Sequence, residues 1–386
     1  MKIVNILQRT VRLQSNISNA LVNFSSHTVS LVALVSDQVR HGRPVVGYAF
    51  NSIGRFAQDG ILSGRMIPRL LQAAPESLLQ EDGRLLSPEK ILACAMQNEK
   101  PGGHGDRAHA AAALELAAWD LNAKLNDEPA AVTIARHYGR AADERIAVYA
   151  AGGYYYPGES GAALQREIDS YRARGFTRFK MKIGGATMAE DLDRVEAAVK
   201  AAGAGSNLAV DANGRFDATQ AIEYGRRLED FGLMWYEEAC DPLDFEANSQ
   251  LAAQYKGALA TGENLFSHQD VKNLVLFGGA RPKLDIFQMD SGLSYGVTGY
   301  MRMLQELEGR GFSRRYAYPH GGQLMALHVV AGLGLGGSEV YPGVFQPIGG
   351  FADDTVIENG SVRLPQQPGF GFEAKTELHH EFKQLF

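Results

Sequence analysis

The feature that most constrains the fold of this chain is a repeat of short apolar segments that each end in a polar residue. From residue 145 onward, apolar runs of strand length alternate with amphipathic runs of helix length. The polar residues that end the apolar runs are Lys182, Asp211, Glu237, Glu263, Asp290 and His320. Their spacings are 29, 26, 26, 27 and 30 residues. One strand, one helix and two short loops take about that many residues in a parallel barrel of ~250 residues, so the repeat predicts a barrel rather than an open sheet.

The chain is predicted to form two domains and a C-terminal tail. Residues 1–130 contain strand-like runs first, with a hairpin turn predicted at His41 and Gly42, and helix-like runs afterwards. This order is typical of a compact α+β unit. Residues 145–350 carry the barrel repeat, and a strand near residues 338–341 would close it. Residues 353–386 include VIENGSVRLP, which has the pattern of a hairpin, and are expected to return to the first domain.

Composition and charge exclude several classes of protein. The net charge of −6 and the pI near 6.0 argue against a protein that binds nucleic acid or an anionic membrane. Cys94 and Cys240 are the only cysteines, and they form neither a disulfide framework nor a zinc site. No signal peptide is visible in MKIVNILQRTVRL, and the apolar runs elsewhere are too short or too glycine-rich to cross a bilayer. We therefore expect a soluble cytoplasmic protein.

Three carboxylates, Asp211, Glu237 and Glu263, stand at successive strand ends and would face one mouth of the barrel. Converging carboxylates repel one another unless a cation lies among them, and hard oxygen ligands suit Mg²⁺. A single acid at a strand end often caps a helix or pairs with an arginine. Three acids in phase with the barrel repeat favour a shared metal ion, so the sequence predicts a metal-dependent enzyme.

Two lysines lie two residues apart in FKMKIGG, immediately before the strand of Asp211. The alternation of a strand sends Lys180 and Lys182 to the same face, which in a barrel points to the interior. Such pairs are usually solvated strand edges, but here they would reach the carboxylates. Lys180 would lower the pKa of Lys182 by like-charge repulsion, and a lysine that is neutral near pH 7 can act as a general base.

Asp290 and His320 end two later strands, on the opposite side of the predicted barrel. A carboxylate that accepts from one imidazole nitrogen fixes the tautomer and raises the basicity of the other nitrogen. A histidine in a Pro-His-Gly-Gly turn is often structural, but its pairing with an acid on the preceding strand end indicates an acid or a base.

The order KxK, Asp, Glu, Glu, Asp, His at successive strand ends resembles the mandelate racemase subgroup of the enolase superfamily, over nearly the whole chain. The segments NEKPGGHG, YAAGGYYYPG, TGENLFSHQD and YPHGG are most similar to the D-tartrate dehydratases within it. The resemblance implies a (β/α)7β modified TIM barrel with an α+β N-terminal capping domain, which the C-terminal tail completes. It also implies a small-molecule acid as substrate and association into a homo-oligomer.

The resemblance implies the Mg²⁺-dependent dehydration of a 2,3-dihydroxy acid, with D-tartrate giving oxaloacetate. The implied metal ligands are Asp211, Glu237 and Glu263. Lys182 would take the proton next to the substrate carboxylate, and Mg²⁺ would stabilise the resulting ene-diolate. His320 would protonate the departing hydroxyl while Asp290 orients it. Lys180 and Asn213 would assist at the carboxylate.

Substrate specificity is expected to come mainly from the capping domain. The predicted substrate-binding residues are Asn19, Asn51, Arg55, Lys100, Tyr155 and Asn213. Ile53 is apolar and would weaken recognition of a hydroxyl or carboxylate, which leaves other sugar acids open as substrates. Glu238, which follows the ligand Glu237, is expected to point away into the barrel wall or a loop.

Other functions share part of this pattern. A sugar-acid (aldonate or aldarate) dehydratase would use the same residues on a different substrate. A racemase or epimerase of the mandelate racemase type would use Lys182 and His320 as two bases. Cycloisomerases carry a second lysine on the sixth strand, where this chain has Asp290, and Lys283 lies near the start of that strand. A non-catalytic barrel protein would have lost one of the acids or Lys182.

Overall fold

The N-terminal part is a three-stranded antiparallel sheet backed by helices in the computed structural model of the chain, which describes residues 1–156 and 161–386. The strands are β1 (Ile3–Arg12), β2 (Thr28–Arg40) and β3 (Arg43–Phe50). The helices are α1 (Asp59–Ile61), α2 (Ile67–Gln72), α3 (Pro88–Ala95) and α4 (Asp106–Leu125), and α5 (Ala130–His137) leads towards the next part. We call residues 1–130 the cap. Strands β2 and β3 form the predicted hairpin, which turns at His41 and Gly42.

Helix α4 forms the centre of the cap. Its residues from Ala108 to Ala123 are all buried, many of them alanines that let the sheet approach closely. Asp120 of this helix is fully buried and accepts the backbone N–H of Tyr48 at 2.8 Å and that of Phe370 at 2.6 Å. It also forms an ion pair with Lys124 at 2.7 Å. One carboxylate therefore joins the sheet, the helix and the C-terminal tail.

The part of the chain after α5 is the parallel barrel that the sequence repeat predicts. Its strands are β4 (Arg145–Ala151), β5 (Phe179–Lys182), β6 (Leu208–Asp211), β7 (Trp235–Glu237), β8 (Leu259–Thr261), β9 (Ile286–Phe287) and β10 (Ser338–Val340). Its helices are α6 (Gly161–Ala173), α7 (Met188–Ala202), α8 (Ala218–Leu228), α9 (Phe245–Gln254), α10 (His268–Phe277), α11 (Gly296–Glu308) and α12 (Leu324–Leu333). The strands pair in parallel from β4 to β9, and β10 pairs with β4.

Most of the described barrel helices are capped at the N-terminus by a polar side chain. Thr187 forms a capping box with Glu190 at the start of α7. Asp217, Asp244 and Ser267 each accept a backbone N–H in the first turn of α8, α9 and α10. These caps satisfy N–H groups that have no partner within the helix. Each cap sets the residue at which the loop after a strand ends and the next helix begins. The caps therefore help to shape the loops around the barrel mouth.

The predicted strand RRYAYPH is mostly irregular. Residues Arg314–Tyr316 form a 3₁₀ turn, and Ala317 makes a single parallel bridge with Phe287 of β9. Gly336 donates its N–H to the Ala317 carbonyl at 2.9 Å, so this segment fills the place between β9 and β10. Tyr318 and His320 also donate their N–H groups to the carbonyls of Phe287 and Gln288, at 2.8 and 3.2 Å, so the segment stays hydrogen-bonded to the end of β9 up to His320. The barrel is thus completed by seven strands and one bridge.

The C-terminal tail, which was expected to return to the first domain, divides between the barrel and the cap. Strands β11 (Ile357–Glu358) and β12 (Ser361–Arg363) form the predicted hairpin, but β12 pairs antiparallel with β4 of the barrel. Helix α13 (Thr376–Lys383) reaches the cap, where the ring of Phe382 lies 4.6 Å from that of Tyr48. The return to the first domain therefore holds for the last residues only.

Glu115 of α4 fixes the cap on the barrel. It is fully buried, and its carboxylate accepts the backbone N–H groups of Val297 at 3.0 Å and Thr298 at 2.9 Å, at the N-terminus of α11. The N-terminus of a helix carries partial positive charge, which favours a carboxylate there. Gly296 (φ 74°) leaves room for this contact, since a Cβ would clash with the carboxylate. Throughout both described ranges, no helix combines the length and apolarity needed to cross a membrane.

Candidate active site

The three acids at the strand ends meet at one point of the barrel mouth. Asp211 ends β6, Glu237 ends β7, and Glu263 lies two residues beyond the end of β8. Each offers a carboxylate oxygen, and these oxygens lie within 4.8 Å of one another. Asp211 and Glu237 are fully buried, while Glu263 is partly open to the cavity. The structure thus brings together the three residues that the sequence singled out as metal ligands.

The chemistry of this donor set fits a divalent cation. Burial and the adjacent Asp211 raise the pKa of Glu237 to about 8, as expected for acids that are crowded together without a bound cation. A hard ion that accepts oxygen ligands removes that repulsion, and Mg²⁺ commonly binds through carboxylates while keeping positions for substrate and water. The predicted Mg²⁺ cofactor is consistent with this geometry.

Both lysines of β5 point to the barrel interior, as the alternation of the strand predicted. Lys182 Nζ lies 2.5 Å from Asp211 Oδ2, and its side chain opens onto the cavity. Lys180 Nζ lies 2.6 Å from Glu237 Oε1 and 2.8 Å from Glu339 Oε1. Burial lowers the pKa of Lys180, but Glu237 and Glu339 outweigh it and hold that pKa well above its ordinary value. Lys180 is thus a buried cation, and Lys182 is the lysine that faces the cavity.

His320 and Asp290 form the predicted pair on the other side of the cavity. His320 Nδ1 and Asp290 Oδ2 are 3.0 Å apart, and the Gly292 N–H fixes the other oxygen of Asp290 at 2.7 Å. His320 Nε2 points towards Glu263, with 3.9 Å between Nε2 and Oε2. Gly54 of the cap (φ 91°) lies above this ring, where even a Cβ would come within 3.9 Å of Cε1.

The protonated form of His320 is favoured by its surroundings. Burial lowers the pKa of His320, but nearby carboxylates outweigh it and raise that pKa to about 9. In order of effect these carboxylates are Glu263, Asp290 and Glu339. A cation bound at Glu263 would reduce the first contribution and leave the hydrogen bond to Asp290. At neutral pH the ring is therefore suited to donate a proton.

Lys182 and His320 border one cavity of about 140 Å³ between the barrel mouth and the cap. The other side chains around it are Asn19, Val22, Phe24, Ile53, Arg55, Tyr154, Asn213, Glu238, Glu263, Asn264, Tyr341 and Phe345. Ligand pockets for drug-sized molecules usually measure about 300 Å³ or more, so this cavity suits a short molecule. Its barrel end is strongly charged, and its cap end is largely apolar apart from Arg55 and Asn19.

The predicted substrate-binding residues divide into two groups. Asn19, Arg55 and Asn213 line the cavity, and Asn213 also donates its backbone N–H to Asp211 at 2.9 Å. The other three lie elsewhere. Asn51 is buried within the cap and accepts the Ser30 N–H, Tyr155 donates its hydroxyl to Asp191, and Lys100 borders a separate cleft with Arg107 and Arg302.

Two of these three placements have simple physical causes. Asn51 is used to fix its own loop, since its amide also donates to the Phe56 carbonyl at 3.2 Å. Tyr154 takes the place expected of Tyr155, because neighbouring residues of an extended segment point in opposite directions. The motif YAAGGYYYPG ends at Pro157 and Gly158, which lie outside the described residues.

Glu238 contradicts the expectation that it points away from the site. It lines the cavity, although Glu237 before it also faces the mouth. Glu238 has a left-handed backbone (φ 38°), which breaks the alternation of strand side chains and turns two consecutive acids to the same side. Both of its carboxylate oxygens lie 2.9 Å from the amide nitrogen of Asn264.

Sequence reasoning also missed three residues that complete the site. Glu339 lies on β10 and pairs with Lys180, Gln288 donates to Glu237 Oε2 at 2.7 Å, and Asn264 contacts Glu238. Glu339 was detectable in principle, since it stands in SEVY, the segment predicted to be the closing strand. Gln288 and Asn264 had no such signal, because uncharged amides are common in loops.

Comparisons with known proteins agree with this architecture. Residues 163–378 match the family described as enolase C-terminal domain-like. The L-talarate/galactarate dehydratase of Salmonella typhimurium is 29% identical over 342 residues, which are 88% of this chain and 80% of that protein. The arabinonate dehydratase of Saccharolobus solfataricus is 26% identical over 275 residues, covering 70% of this chain and 71% of the relative.

Solved structures agree in fold. A racemase from Streptomyces coelicolor with bound magnesium superposes with a TM-score of 0.77 at 22% identity, covering 99% of this chain and 98% of its own. The L-talarate/galactarate dehydratase of Salmonella typhimurium, liganded with Mg and L-lyxarohydroxamate, gives 0.74 at 22% identity, with 96% and 89% covered. At these identities the likeness establishes the cap-and-barrel architecture.

Proposed function

Because this chain belongs to the enolase C-terminal domain-like family, as its motifs predicted, we propose that it catalyses the Mg²⁺-dependent dehydration of a short sugar acid. D-tartrate, which would give oxaloacetate, is the first candidate. The observation that carries the proposal is the placement of Lys182 and His320 on one cavity, next to a site of three convergent carboxylates. The small cavity favours a short substrate, and the dehydratases of sugar acids among the relatives favour this reaction class.

Asp211, Glu237 and Glu263 would hold the Mg²⁺. When bound, the ion supplies positive charge next to the substrate carboxylate, which is worth several kcal/mol where negative charge develops. The protein keeps these carboxylates in place from behind. Lys180 contacts Glu237 Oε1, while Trp235 and Gln288 donate to Glu237 Oε2 at 2.8 and 2.7 Å.

Lys182 would be the general base. A proton on the carbon next to a carboxylate is weakly acidic, because its removal adds a negative charge next to an existing one. Lys182, which reaches the cavity from β5, would take this proton on Nζ. Lys180 is held between Glu237 and Glu339, so its charge stabilises the carboxylate end of the site without a proton transfer.

His320 would be the general acid. After Lys182 takes the proton, the bond between the β-carbon and its hydroxyl breaks. His320 donates the proton that turns the leaving hydroxyl into water, and Asp290 holds the ring for this transfer at 3.0 Å. The organic product is an enol that becomes a 2-keto acid. The sugar-acid dehydratases among the relatives favour this role over that of the second base of a racemase.

The proposal is tested by incubating the protein and Mg²⁺ in D₂O with D-, L- and meso-tartrate and with C5 and C6 aldarates and aldonates. Keto-acid formation and deuterium uptake are measured together. We expect a keto acid from at least one of them, with loss of activity in Lys182→Ala and retention in the exposed control Lys200→Ala. Deuterium uptake with inversion but no keto acid would contradict dehydration and favour a racemase. Neither signal from any acid would overturn the proposal.

A further inference from the structure

A connected set of polar contacts joins the metal-bearing strands to the cap. It begins at Glu238, whose left-handed backbone (φ 38°) turns the carboxylate into the cavity. A side chain as bulky as glutamate rarely adopts this conformation, and such strained residues cluster where function requires them. The peptide of Glu238 is fixed on both sides, since its N–H donates to Ala260 at 2.9 Å and its carbonyl accepts from Gly214 at 2.6 Å.

The next contact fixes the orientation of Asn264. Its amide nitrogen lies 2.9 Å from both Glu238 oxygens. The NH₂ group of Asn264 therefore faces Glu238, and its amide oxygen faces the other way. That oxygen, Asn264 Oδ1, accepts a hydrogen bond from the guanidinium of Arg55, which belongs to the cap.

Arg55 is held from three directions. Besides the bond to Asn264, its guanidinium donates to the Gly54 carbonyl at 2.6 Å and lies over the ring of Phe266, 5.4 Å from the centroid. These two hydrogen bonds use two of the five N–H groups of the side chain. The other three N–H groups of Arg55 take part in neither bond. The Arg55 side chain borders the cavity, so these groups can serve a ligand there.

Charge distinguishes the two ends of this cavity. Lys182 and His320 are the basic side chains at the reactive end. Among the described cap residues that line the cavity, Arg55 is the cation, while Val22, Phe24 and Ile53 are apolar. A guanidinium in a small, mostly apolar space favours a planar anion, above all a carboxylate, because it can donate two parallel hydrogen bonds.

We propose that Arg55 binds the second, distal carboxylate of the substrate, and that Glu238 and Asn264 are positioning residues that hold Arg55 for this purpose. The inference rests on the proposed function, and it narrows the substrate class to short dicarboxylic sugar acids rather than aldonates. Ile53 then forms an apolar wall of the cavity. Arg55, and not Ile53, binds the distal carboxylate.

The test compares pairs of acids that differ only at the distal end. Tartrate and threonate are the reacting pair, since threonate has a CH₂OH group in place of the second carboxylate. Succinate and butyrate are the non-reacting pair, and their binding in the presence of Mg²⁺ is measured by calorimetry. The variants are Arg55→Gln, Asn264→Ala, Glu238→Gln and the double variant Arg55→Gln/Asn264→Ala. Surface Arg310→Gln is the matched control.

The wild type is expected to prefer each diacid by about 10- to 100-fold, the size of a charge-assisted hydrogen bond. Arg55→Gln should remove this preference while changing binding of the monoacid less than about threefold. Asn264→Ala and Glu238→Gln should lose much of it, and the double variant should be no worse than Arg55→Gln, because all three residues act through one group. Arg310→Gln should keep it, and each variant is checked for an unchanged melting temperature.

Several outcomes would overturn the inference. A diacid preference that survives in Arg55→Gln excludes Arg55 as the distal site. A preference lost in Arg55→Gln but intact in both Asn264→Ala and Glu238→Gln excludes the positioning role. If wild type converts threonate and tartrate equally well, the inference fails while the proposed function stands. If it binds succinate through Arg55 but converts no acid, the proposed function fails, and what stands is Arg55 as a carboxylate-binding residue without a substrate class.

Discussion

Glu339 on β10 and Lys180 on β5 form a buried ion pair, with 2.8 Å between Oε1 and Nζ, across the intervening strand β4. The same Lys180 nitrogen lies 2.6 Å from Glu237 Oε1. Two carboxylates on either side of one ammonium group keep its charge and leave little freedom of movement. Of the two lysines on β5, Lys182 is therefore the one whose nitrogen can exchange a proton with a molecule in the cavity.

Lys182→Ala is expected to abolish exchange of the proton next to the substrate carboxylate. Removal of a positioned general base lowers the rate by about 10²- to 10⁴-fold. The measurement is the rate of solvent deuterium uptake, followed by NMR, with Lys200→Ala as a control for loss of a lysine on the surface. Uptake at the wild-type rate in Lys182→Ala would exclude Lys182 as the base.

Asp290→Asn is expected to shift the alkaline limb of the pH profile to lower pH. Burial lowers the pKa of His320, but nearby carboxylates, Asp290 among them, outweigh it, so the acid form is present below the raised pKa and is lost as pH rises through it. Asn removes one of these negative charges, so the proton is lost at lower pH. The measurement is kcat/KM between pH 6 and 10, and the exposed variant Asp230→Asn is the control. An unmoved limb would show that Asp290 does not act on His320.

Glu237→Gln is expected to weaken Mg²⁺ binding by at least about tenfold. The substitution replaces one negatively charged ligand of Mg²⁺ with a neutral amide. It also removes a carboxylate that pairs with Lys180, so the positive charge of Lys180 repels Mg²⁺ more strongly. Calorimetric titration with Mg²⁺ measures the change, and exposed Glu223→Gln should match the wild type. Equal affinity in the two variants would contradict the ligand assignment.

Asp120→Asn is expected to destabilise the cap without changing the active-site residues. The variant leaves Lys124 buried beside one carboxylate fewer and weakens the bonds to the Tyr48 and Phe370 N–H groups. Breaking a buried ion pair costs about 3–5 kcal/mol in the free energy of unfolding. Urea unfolding measures this loss, with Asp230→Asn as control. A loss below about 1 kcal/mol would show that Asp120 does not join sheet, helix and tail as described.

The convergence of Asp211, Glu237, Glu263, Lys182, Asp290 and His320 could be predicted from the sequence, because each residue lies at or just beyond the end of one unit of a regular repeat. In a parallel barrel the strand ends converge on one mouth, so position along the repeat alone brings these side chains together. The α+β cap and the hairpin at His41 and Gly42 followed equally from local patterns.

Residues in irregular backbone could not be placed in the same way. The left-handed conformation of Glu238 reverses the alternation on which the prediction of its direction depended. Lys100 and Asn51 lie in cap loops, whose path depends on distant contacts rather than on spacing. The hairpin of β11 and β12 could be predicted from its local pattern. Its pairing with β4 could not, because β4 lies far away in the chain and local spacing carries no information about that contact.

The central claim is that Asp211, Glu237 and Glu263 share one divalent ion. The most direct test is a crystal structure of the protein soaked with Mn²⁺, a close substitute for Mg²⁺, with anomalous diffraction used to locate the metal. We expect one strong peak at about 2.1 Å from an oxygen of each of the three carboxylates. A peak held by Glu238 and Glu263 without Asp211, or none at this end of the barrel at saturating Mn²⁺, would contradict the account.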